Sequence, residues 1–174
     1  YWEDPEAASI VYQQMEKMGK QIEMIGLDVT RQIVLTPDLL SYIERLDPHE
    51  GEFIRKITKF YFDFHWQWEH LIGCVINDPL AVACFLDPEV CRGCSAHVEI
   101  AEEGICRGQS VVDAYDFYRR PHNAVVYDKV DVTKFFYMFL ERILRCDRAR
   151  LDLLDHLLRN HDAYGKEGER DIRI

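Results

Sequence analysis

The chain has 174 residues, of which 48% are hydrophobic, and it carries a formal net charge of −10. This length and apolar content suffice for one domain with a core. The negative charge argues against a nucleic-acid partner and against anionic membranes, because both require clustered Lys and Arg. The apolar runs are too short to span a bilayer, and the N-terminus has no signal-peptide pattern. We therefore expect no nucleic acid, no membrane and a cytoplasmic protein.

The first predicted element is a helix that begins after the cap Asp4, with Pro5 at its first position, and ends at Gly19. Its apolar side chains at helical spacing are Ala7, Ala8, Val11, Met15 and Met18. A strand at 21–27 follows, so these elements form half of a βαβ unit whose first strand is missing. A sheet opened in this way exposes backbone groups, which predicts a missing N-terminal segment or a companion chain as partner. Asp28 then lies where ligand crevices form in open sheets, or is a turn residue.

Three helices are predicted in the middle of the chain. The first begins at Thr36-Pro37, and the second is an aromatic helix over about 52–71. The apolar stripe of this second helix, which we expect to lie mostly in the core, consists of Phe53, Ile57, Phe60, Tyr61, Phe64, Trp68 and Leu71. The third helix is predicted to have Asp78 as its N-cap and Pro79 at its first position. Asp78 could also offer one oxygen to a hard cation, or it is only a cap.

The last third of the chain predicts a hairpin, a strand and a terminal core helix. Strands at 95–101 and 105–112 are joined by 102–104, and a further strand covers 123–127. Asp131 caps the core helix, and residues 151–158 extend it or form another helix. The predicted class is thus α/β, with an open, mostly parallel sheet flanked by helices, a small β-hairpin and a C-terminal core helix. Residues 1–164 form the domain, and 165–174 are a charged tail predicted to be disordered.

Six cysteines are present, at positions 74, 84, 91, 94, 106 and 146. Cys91 and Cys94 with His97 nearby allow a zinc site, for which Cys84 or Cys106 would be the fourth ligand. A single Cys-x-x-Cys is a weak signal, so ordinary buried thiols are the favoured interpretation.

The segment Asn77-Asp78-Pro79-Leu80-Ala81-Val82-Ala83, with Leu86-Asp87-Pro88-Glu89 after it, resembles the C-terminal signature of the inosine–uridine-type nucleoside hydrolases. Further matches in the same order lie at 4–8, 26–30, 98–99, 104, 107–113 and 130–132, so the resemblance covers about residues 1–145. Members of that family begin with an aspartate-rich loop that supplies most calcium ligands and the general base. This chain has no such segment. The resemblance therefore implies the C-terminal part of the enzyme, which would be inactive alone.

The resemblance implies hydrolysis of the N-glycosidic bond of ribonucleosides to ribose and free base, with calcium as cofactor. It makes Asp78 a metal ligand and Asn77, Tyr61 and His65 contacts of a small-molecule nucleoside, and it assigns no catalytic residue. For His65, a surface position at the helix end is the alternative. Many members have a histidine where Asn77 stands, and an amide cannot deliver a proton, so pyrimidine, ribose-only or altered specificity and loss of activity stay open. The alternative function is a non-catalytic remnant or interaction module. In either case we expect a homo-oligomer.

Overall fold

The structure is a computed structural model that describes residues 1–159. The chain divides into two compact units, Tyr1–Gly26 with Arg92–Asp128 and Leu27–Cys91 with Lys129–Ile174. The predicted boundary at residue 164 and the predicted disordered tail lie outside the described residues. Within residues 1–159, no helix is both long enough and apolar enough to cross a membrane.

The chain begins with a helix and a strand, continues through several helices and short strands, and then forms a β-hairpin, a further strand and another helix. In chain order they are α1 (Pro5–Lys17), β1 (Ile22–Ile25), α2 (Leu27–Thr30), β2 (Val34–Leu35), α3 (Pro37–Leu46), α4 (Pro48–Glu69), β3 (Cys74–Val75), α5 (Asn77–Leu86), β4 (Cys91–Ile100), β5 (Ser110–Asp113), β6 (Ala124–Val130) and α6 (Val132–Ile143). Short 3₁₀ turns lie at Pro88–Val90 and Arg148–Arg150, and residues 154–159 are helical.

The first unit is built on a four-stranded sheet with the order β1-β6-β4-β5. β1 runs parallel to β6, and β4 runs antiparallel to β5. The predicted fold class is therefore confirmed, although the hairpin connection covers 101–109 rather than 102–104. β1 lies at one edge of the sheet, so within the described residues its outer backbone groups face no further strand. An open edge of this kind agrees with the predicted βαβ unit, in which no described strand precedes α1.

Helix α1 packs on this sheet with a different face from the predicted one. Asp4 caps it as predicted, since its Oδ1 accepts from the Ala7 amide at 2.9 Å. The buried residues, however, are Pro5, Ser9 and Tyr12, and the core cluster formed with Tyr12 consists of Met24, Val98, Ile100 and Ala124. Val11 is more than half exposed. The buried face has the same helical spacing as the predicted one, but its serine hides it from a search for apolar residues.

In the second unit, α3 and α4 pack closely together. The helix α3 begins at Thr36-Pro37, as predicted, and Thr36 caps it through a 3.2 Å bond from the Leu39 amide. Gly51 of α4 lies against the backbone of Glu44 of α3, where any Cβ would collide. The Arg55 guanidinium also pairs with the Glu44 carboxylate. These contacts pack the first turns of α4 against α3.

The predicted core position of the α4 apolar stripe is wrong. The residues of α4 that are buried are Gly51, Ile54, Thr58 and His65. The predicted stripe lies beside this buried face, and most of its side chains are exposed. Helix α6 behaves as predicted: Asp131 accepts from the Lys134 amide at 2.9 Å, and Phe135, Phe136 and Leu140 are fully buried. It packs against α5 and the Pro88–Val90 turn.

Candidate functional site

The first turn of α5 is positioned by a two-stranded ribbon. β3 pairs antiparallel with β2, and the Ile76 amide continues this pairing with a 3.4 Å bond to the Ile33 carbonyl. The helix then begins at Asn77, and its N-cap is Ile76, which has no side-chain cap bond. The prediction of Asp78 as N-cap is therefore wrong. Because the ribbon holds the backbone up to Ile76, helical geometry starts one residue before Asp78.

This shift leaves the Asp78 carboxylate free for another role. Asn77 and Asp78 are both exposed, and neither side chain makes a hydrogen bond within residues 1–159. The carboxylate stands in the first turn, where the unpaired backbone amides give the helix its positive end. The simpler alternative, that Asp78 serves only as a cap, does not hold. An uncommitted carboxylate beside a free amide side chain can bind a cation, a hydroxyl group or a base edge.

Tyr61 and His65 lie one turn apart on α4, with their ring centroids 6.5 Å apart. His65 is buried, so the alternative surface position is wrong. Its Nδ1 lies 2.7 Å from the Tyr61 carbonyl oxygen. Because a carbonyl only accepts, Nδ1 must carry a hydrogen, and in the neutral ring Nε2 keeps its lone pair. His65 can therefore accept a hydrogen bond at Nε2, and only a doubly protonated ring could donate there.

No hydrogen bond or ion pair between these two pairs of residues occurs in the described part of the chain. Their link is β3, which packs against α4 and leads directly into α5. Asp28 lies in the first turn of α2, and α2 packs against α5. The side chain of Asp28 is exposed, and its carbonyl accepts from Gln32 Nε2 at 2.9 Å. Asp28 thus lies on one helix, and Asn77 and Asp78 on another, and these two helices contact each other.

Thr30 is a residue that the sequence did not single out. It ends α2, it is buried, and its Oγ1 has no hydrogen-bond partner in the described residues. A buried hydroxyl without a partner costs about 1–3 kcal/mol of desolvation, so the Thr30 hydroxyl calls for a water or another group to bind it. No sequence signal separates a satisfied threonine from an unsatisfied one, because the difference depends on packing.

The cysteines do not form the zinc site that was considered. Cys84 and Cys91 are joined in a disulfide, and Cys94 and Cys106 are exposed free thiols. The expectation of buried thiols is thus wrong for these four. It holds for Cys74 of β3, where burial raises the pKa of the thiol to about 11 and so keeps it protonated and unreactive. Within the part of the chain that the structure describes, no group of three or more His, Cys, Asp or Glu side chains could hold a metal ion.

A cavity of about 600 Å³ lies in the first unit, and none of the predicted site residues lines it. Its wall carries His97, whose Nδ1 is 3.1 Å from the Pro121 carbonyl and whose Nε2 is 3.4 Å from Glu99. The Arg120 guanidinium pairs with both Glu99 and Glu16. These charges already satisfy one another, so the network explains the burial of His97 without any ligand.

Comparison with known proteins decides the family. Residues 1–137 match the family model of the inosine-uridine preferring nucleoside hydrolases. This chain belongs to that family. Among similar nucleoside hydrolases are the pyrimidine-specific ribonucleoside hydrolase RihB of Shigella flexneri, 29% identical, and the inosine-uridine preferring nucleoside hydrolase of Crithidia fasciculata, 30% identical. Each alignment covers 82% of this chain and 44% of the relative.

A solved nucleoside hydrolase gives the same picture in three dimensions. The purine-preferring ribonucleoside hydrolase from Gardnerella vaginalis superposes with a TM-score of 0.67 at 32% identity, over 84% of this chain and 45% of that structure. The chain therefore spans somewhat less than half the length of these three nucleoside hydrolases.

Proposed function

We propose that this chain is the C-terminal part of a ribonucleoside hydrolase and that a further N-terminal segment or companion chain completes it. The assembled enzyme would hydrolyse the N-glycosidic bond of a ribonucleoside to ribose and free base, as part of cytoplasmic nucleoside salvage. The observation that carries the proposal is the free Asp78 carboxylate at the start of α5, within a chain that belongs to the hydrolase family. The open edge of β1 supports the need for a completing segment.

Calcium is the ion that we propose for the assembled site. Calcium takes six to eight oxygen ligands, and the described residues contain no group of three acidic, histidine or cysteine side chains able to hold a metal. The residues of this chain alone therefore do not fit a calcium ion. Asp78 would supply one ligand, and the completing segment would supply the others.

The other residues that we propose for the site would act on the leaving base. The half-exposed ring of Tyr61 can stack on a nucleobase, and His65 can accept a base N–H at Nε2. Asn77 can bond a base edge or a ribose hydroxyl but cannot donate a proton to the leaving nitrogen at neutral pH. Because this set offers no acid to protonate a purine leaving group, we propose a pyrimidine ribonucleoside as the substrate.

The test is to express the chain together with the segment that completes it and to measure ribose released from uridine and inosine. Asp78→Asn should lower ribose release by at least about a hundredfold, because it replaces a charged carboxylate ligand of the proposed ion with a neutral amide. Asp38→Asn is the matched control, because Asp38 is also exposed and also follows the first residue of its helix, α3. We expect this control to retain full activity.

Two outcomes would contradict the proposal. If the assembled protein releases no ribose from any nucleoside, the non-catalytic alternative replaces it. If ribose is released but Asp78→Asn is as active as Asp38→Asn, the hydrolase function stands and the role of Asp78 is wrong. The first outcome concerns the function and the second the site, so the two failures can be told apart.

A further inference from the structure

Three side chains of the first unit place a hydroxyl, an imidazole and a carboxylate next to one another, in that order. Ser95 Oγ lies 3.1 Å from His122 Nδ1. His122 Nε2 in turn lies 3.7 Å from Asp116 Oδ1. We call these three residues the serine triad. It joins β4 to the connection between β5 and β6, so that a serine and a histidine 27 positions apart in the sequence are in contact.

The contacts of the serine triad determine where its hydrogens lie. The side-chain amide nitrogen of Gln21 contacts Ser95 Oγ, and because this nitrogen only donates, the serine oxygen accepts from it. The hydroxyl hydrogen of Ser95 is therefore available to His122 Nδ1, which must offer a lone pair. In the neutral ring the hydrogen then stands on Nε2, which faces the Asp116 carboxylate. In this arrangement the histidine can take the serine proton while the carboxylate stabilises the imidazolium that forms.

The backbone on both sides of the triad is held by buried or paired hydrogen bonds. Asn123, the residue after the histidine, is buried and bonds both the amide and the carbonyl of Val98 on β4, at 2.8 and 2.9 Å. In the connection itself, the Asp113 carboxylate accepts the amides of Tyr118 and Phe117, each at 2.8 Å. These bonds, above all the one from Tyr118, hold the pKa of Asp113 below its ordinary value. The connection is thus ordered before any ligand binds.

Asp116 is held in a backbone conformation that few residues adopt. Its φ is +53°, in the left-handed region, where most side chains other than glycine, asparagine and aspartate are strained. Its amide donates to the Asp113 carbonyl, and its carbonyl accepts from the Arg119 amide, both at 3.3 Å. The resulting turn places the Asp116 carboxylate beside His122. Backbone strain of this kind is concentrated at functional sites.

We propose that the serine triad is a second catalytic site, which hydrolyses aryl esters through an acyl group carried on Ser95. The Ser95 oxygen bonds to the ester carbonyl carbon while its hydrogen moves to His122 Nδ1. The bond from that carbon to the phenol oxygen then breaks, and the phenol leaves with the proton. Water next gives a proton to His122 and bonds its oxygen to the acyl carbon. The bond to Ser95 breaks, the proton returns to the serine, and a carboxylic acid leaves. Asp116 is a positioning residue for the histidine.

The surroundings of the triad favour an aromatic leaving group. Tyr115, Phe117 and Tyr118 lie on the same connection as Asp116 and are 96%, 79% and 71% exposed, so their rings are available to stack on a phenol. Ser95 is itself exposed, so water is not excluded and only activated esters should react. The inference is independent of the proposed nucleoside hydrolase, because the first unit contains the whole triad and no completing segment is needed to test it.

Covalent labelling of the 174-residue chain tests the nucleophile. The probe is a fluorophosphonate with an aromatic tag, which bonds its phosphorus to an activated serine oxygen and releases fluoride while the hydroxyl proton passes to the base. Mass spectrometry should show one adduct per chain, on Ser95, and Ser95→Ala should abolish it. Ser41→Ala, which removes an exposed serine of α3, is the matched control and should leave the adduct unchanged.

Two further variants test the base and the carboxylate. His122→Gln should slow labelling about a hundredfold, which is the lower end of what a general base contributes. His49→Gln is its control, because His49 also lies 3.7 Å from a carboxylate, that of Glu50, and we expect it to label at the wild-type rate. Asp116→Asn keeps the size of the side chain and its tolerance of the left-handed region but removes the charge. It should slow labelling about threefold without changing the circular dichroism spectrum.

Turnover of p-nitrophenyl acetate tests the hydrolysis. It is measured in a Cys94→Ala background, because Cys94 is an exposed free thiol next to Ser95 and would itself attack the ester. Release of p-nitrophenol should continue beyond one equivalent per chain, and it should fall at least about tenfold when Ser95→Ala is added.

Four results would contradict the proposal. A folded wild-type chain without an adduct on Ser95 would overturn it, and so would equal labelling rates in His122→Gln and His49→Gln. His122→Asn takes the place of His122→Gln if circular dichroism shows that the latter does not fold. Labelling that Asp116→Asn leaves unchanged would refute the role of the carboxylate. Ester turnover that is the same with and without Ser95 would refute the acyl transfer.

Discussion

Helices α4 and α6 both carry rows of aromatic side chains, and they use them in opposite ways. In α6, Phe135 and Phe136 are completely buried, and their rings pack edge to face at 5.1 Å. In α4, Phe60 and Trp68 are mostly exposed. Helix α6 is covered by α5 and the Pro88–Val90 turn, whereas α4 packs against α3 and β3 through a separate face. Aromatic spacing thus identifies a face that needs a partner, and the surrounding elements decide whether this chain supplies the partner.

The largest expected difference between the two helices is in the free energy of unfolding. Phe136→Ala should destabilise the chain by about 3–5 kcal/mol, because it leaves a cavity in a close-packed core. Phe60→Ala should change the stability of the monomer by less than about 0.5 kcal/mol, because its ring is already in water. Urea denaturation followed by circular dichroism measures both values, at a concentration where the chain is monomeric.

The opposite ranking would break the comparison between the helices. If Phe60→Ala cost as much as Phe136→Ala in the monomer, the stripe of α4 would belong to the core of the chain.

A second, smaller effect is expected from the disulfide that closes the segment on which α6 packs. Cys84 lies near the C-terminus of α5, and Cys91, seven residues later, is the first residue of β4. Closing so short a loop lowers the conformational entropy of the unfolded chain and thereby stabilises the folded chain by about 2 kcal/mol. Cys84→Ser combined with Cys91→Ser should therefore lower the free energy of unfolding by that amount under oxidising conditions. Cys106→Ser, which replaces an exposed free thiol, is the control and should have no effect.

The same experiment under reducing conditions bears on the proposed location. Cytoplasmic thiols are kept reduced, so a cytoplasmic protein would have to fold without this bond. We expect the wild-type chain and the double variant to unfold at the same urea concentration once a thiol reductant is present. A wild-type chain that unfolds in the reductant alone would contradict a cytoplasmic location.

The sequence predicted the parts of the fold that depend on local chemistry. The caps Asp4 and Asp131, the helix start at Thr36-Pro37 and the burial of α6 were all predicted correctly, because capping and helical periodicity act within a few residues. The family was also recognisable from its motifs. The predictions that failed depended on distant neighbours: the core position of the α4 stripe, the buried face of α1, and the thiol state of Cys84 and Cys91.

The candidate site was only partly predictable for the same reason. The motif around Asp78 could be recognised in the sequence. That Asp78 is not the cap of α5, however, depends on the hydrogen bond between Ile76 and Ile33, which lies just before β2. The unsatisfied hydroxyl of Thr30 likewise depends on how α2 packs. The periodicity of the sequence predicts neither of these two features. The first depends on a contact between strands more than thirty residues apart, and the second depends on how helices pack.

The smallest effect separates an aspartate that stabilises a helix from one that is free for binding. Asp131 begins α6 and accepts a bond from the Lys134 amide, so Asp131→Ala should cost about 1 kcal/mol in the free energy of unfolding. Asp78 makes no cap bond, and Asp78→Ala should cost only the few tenths of a kcal/mol that a charge near a helix N-terminus contributes. Urea denaturation of both variants measures the difference. Equal costs would mean that the Asp78 carboxylate binds its own helix, and it would then not be free to hold a cation.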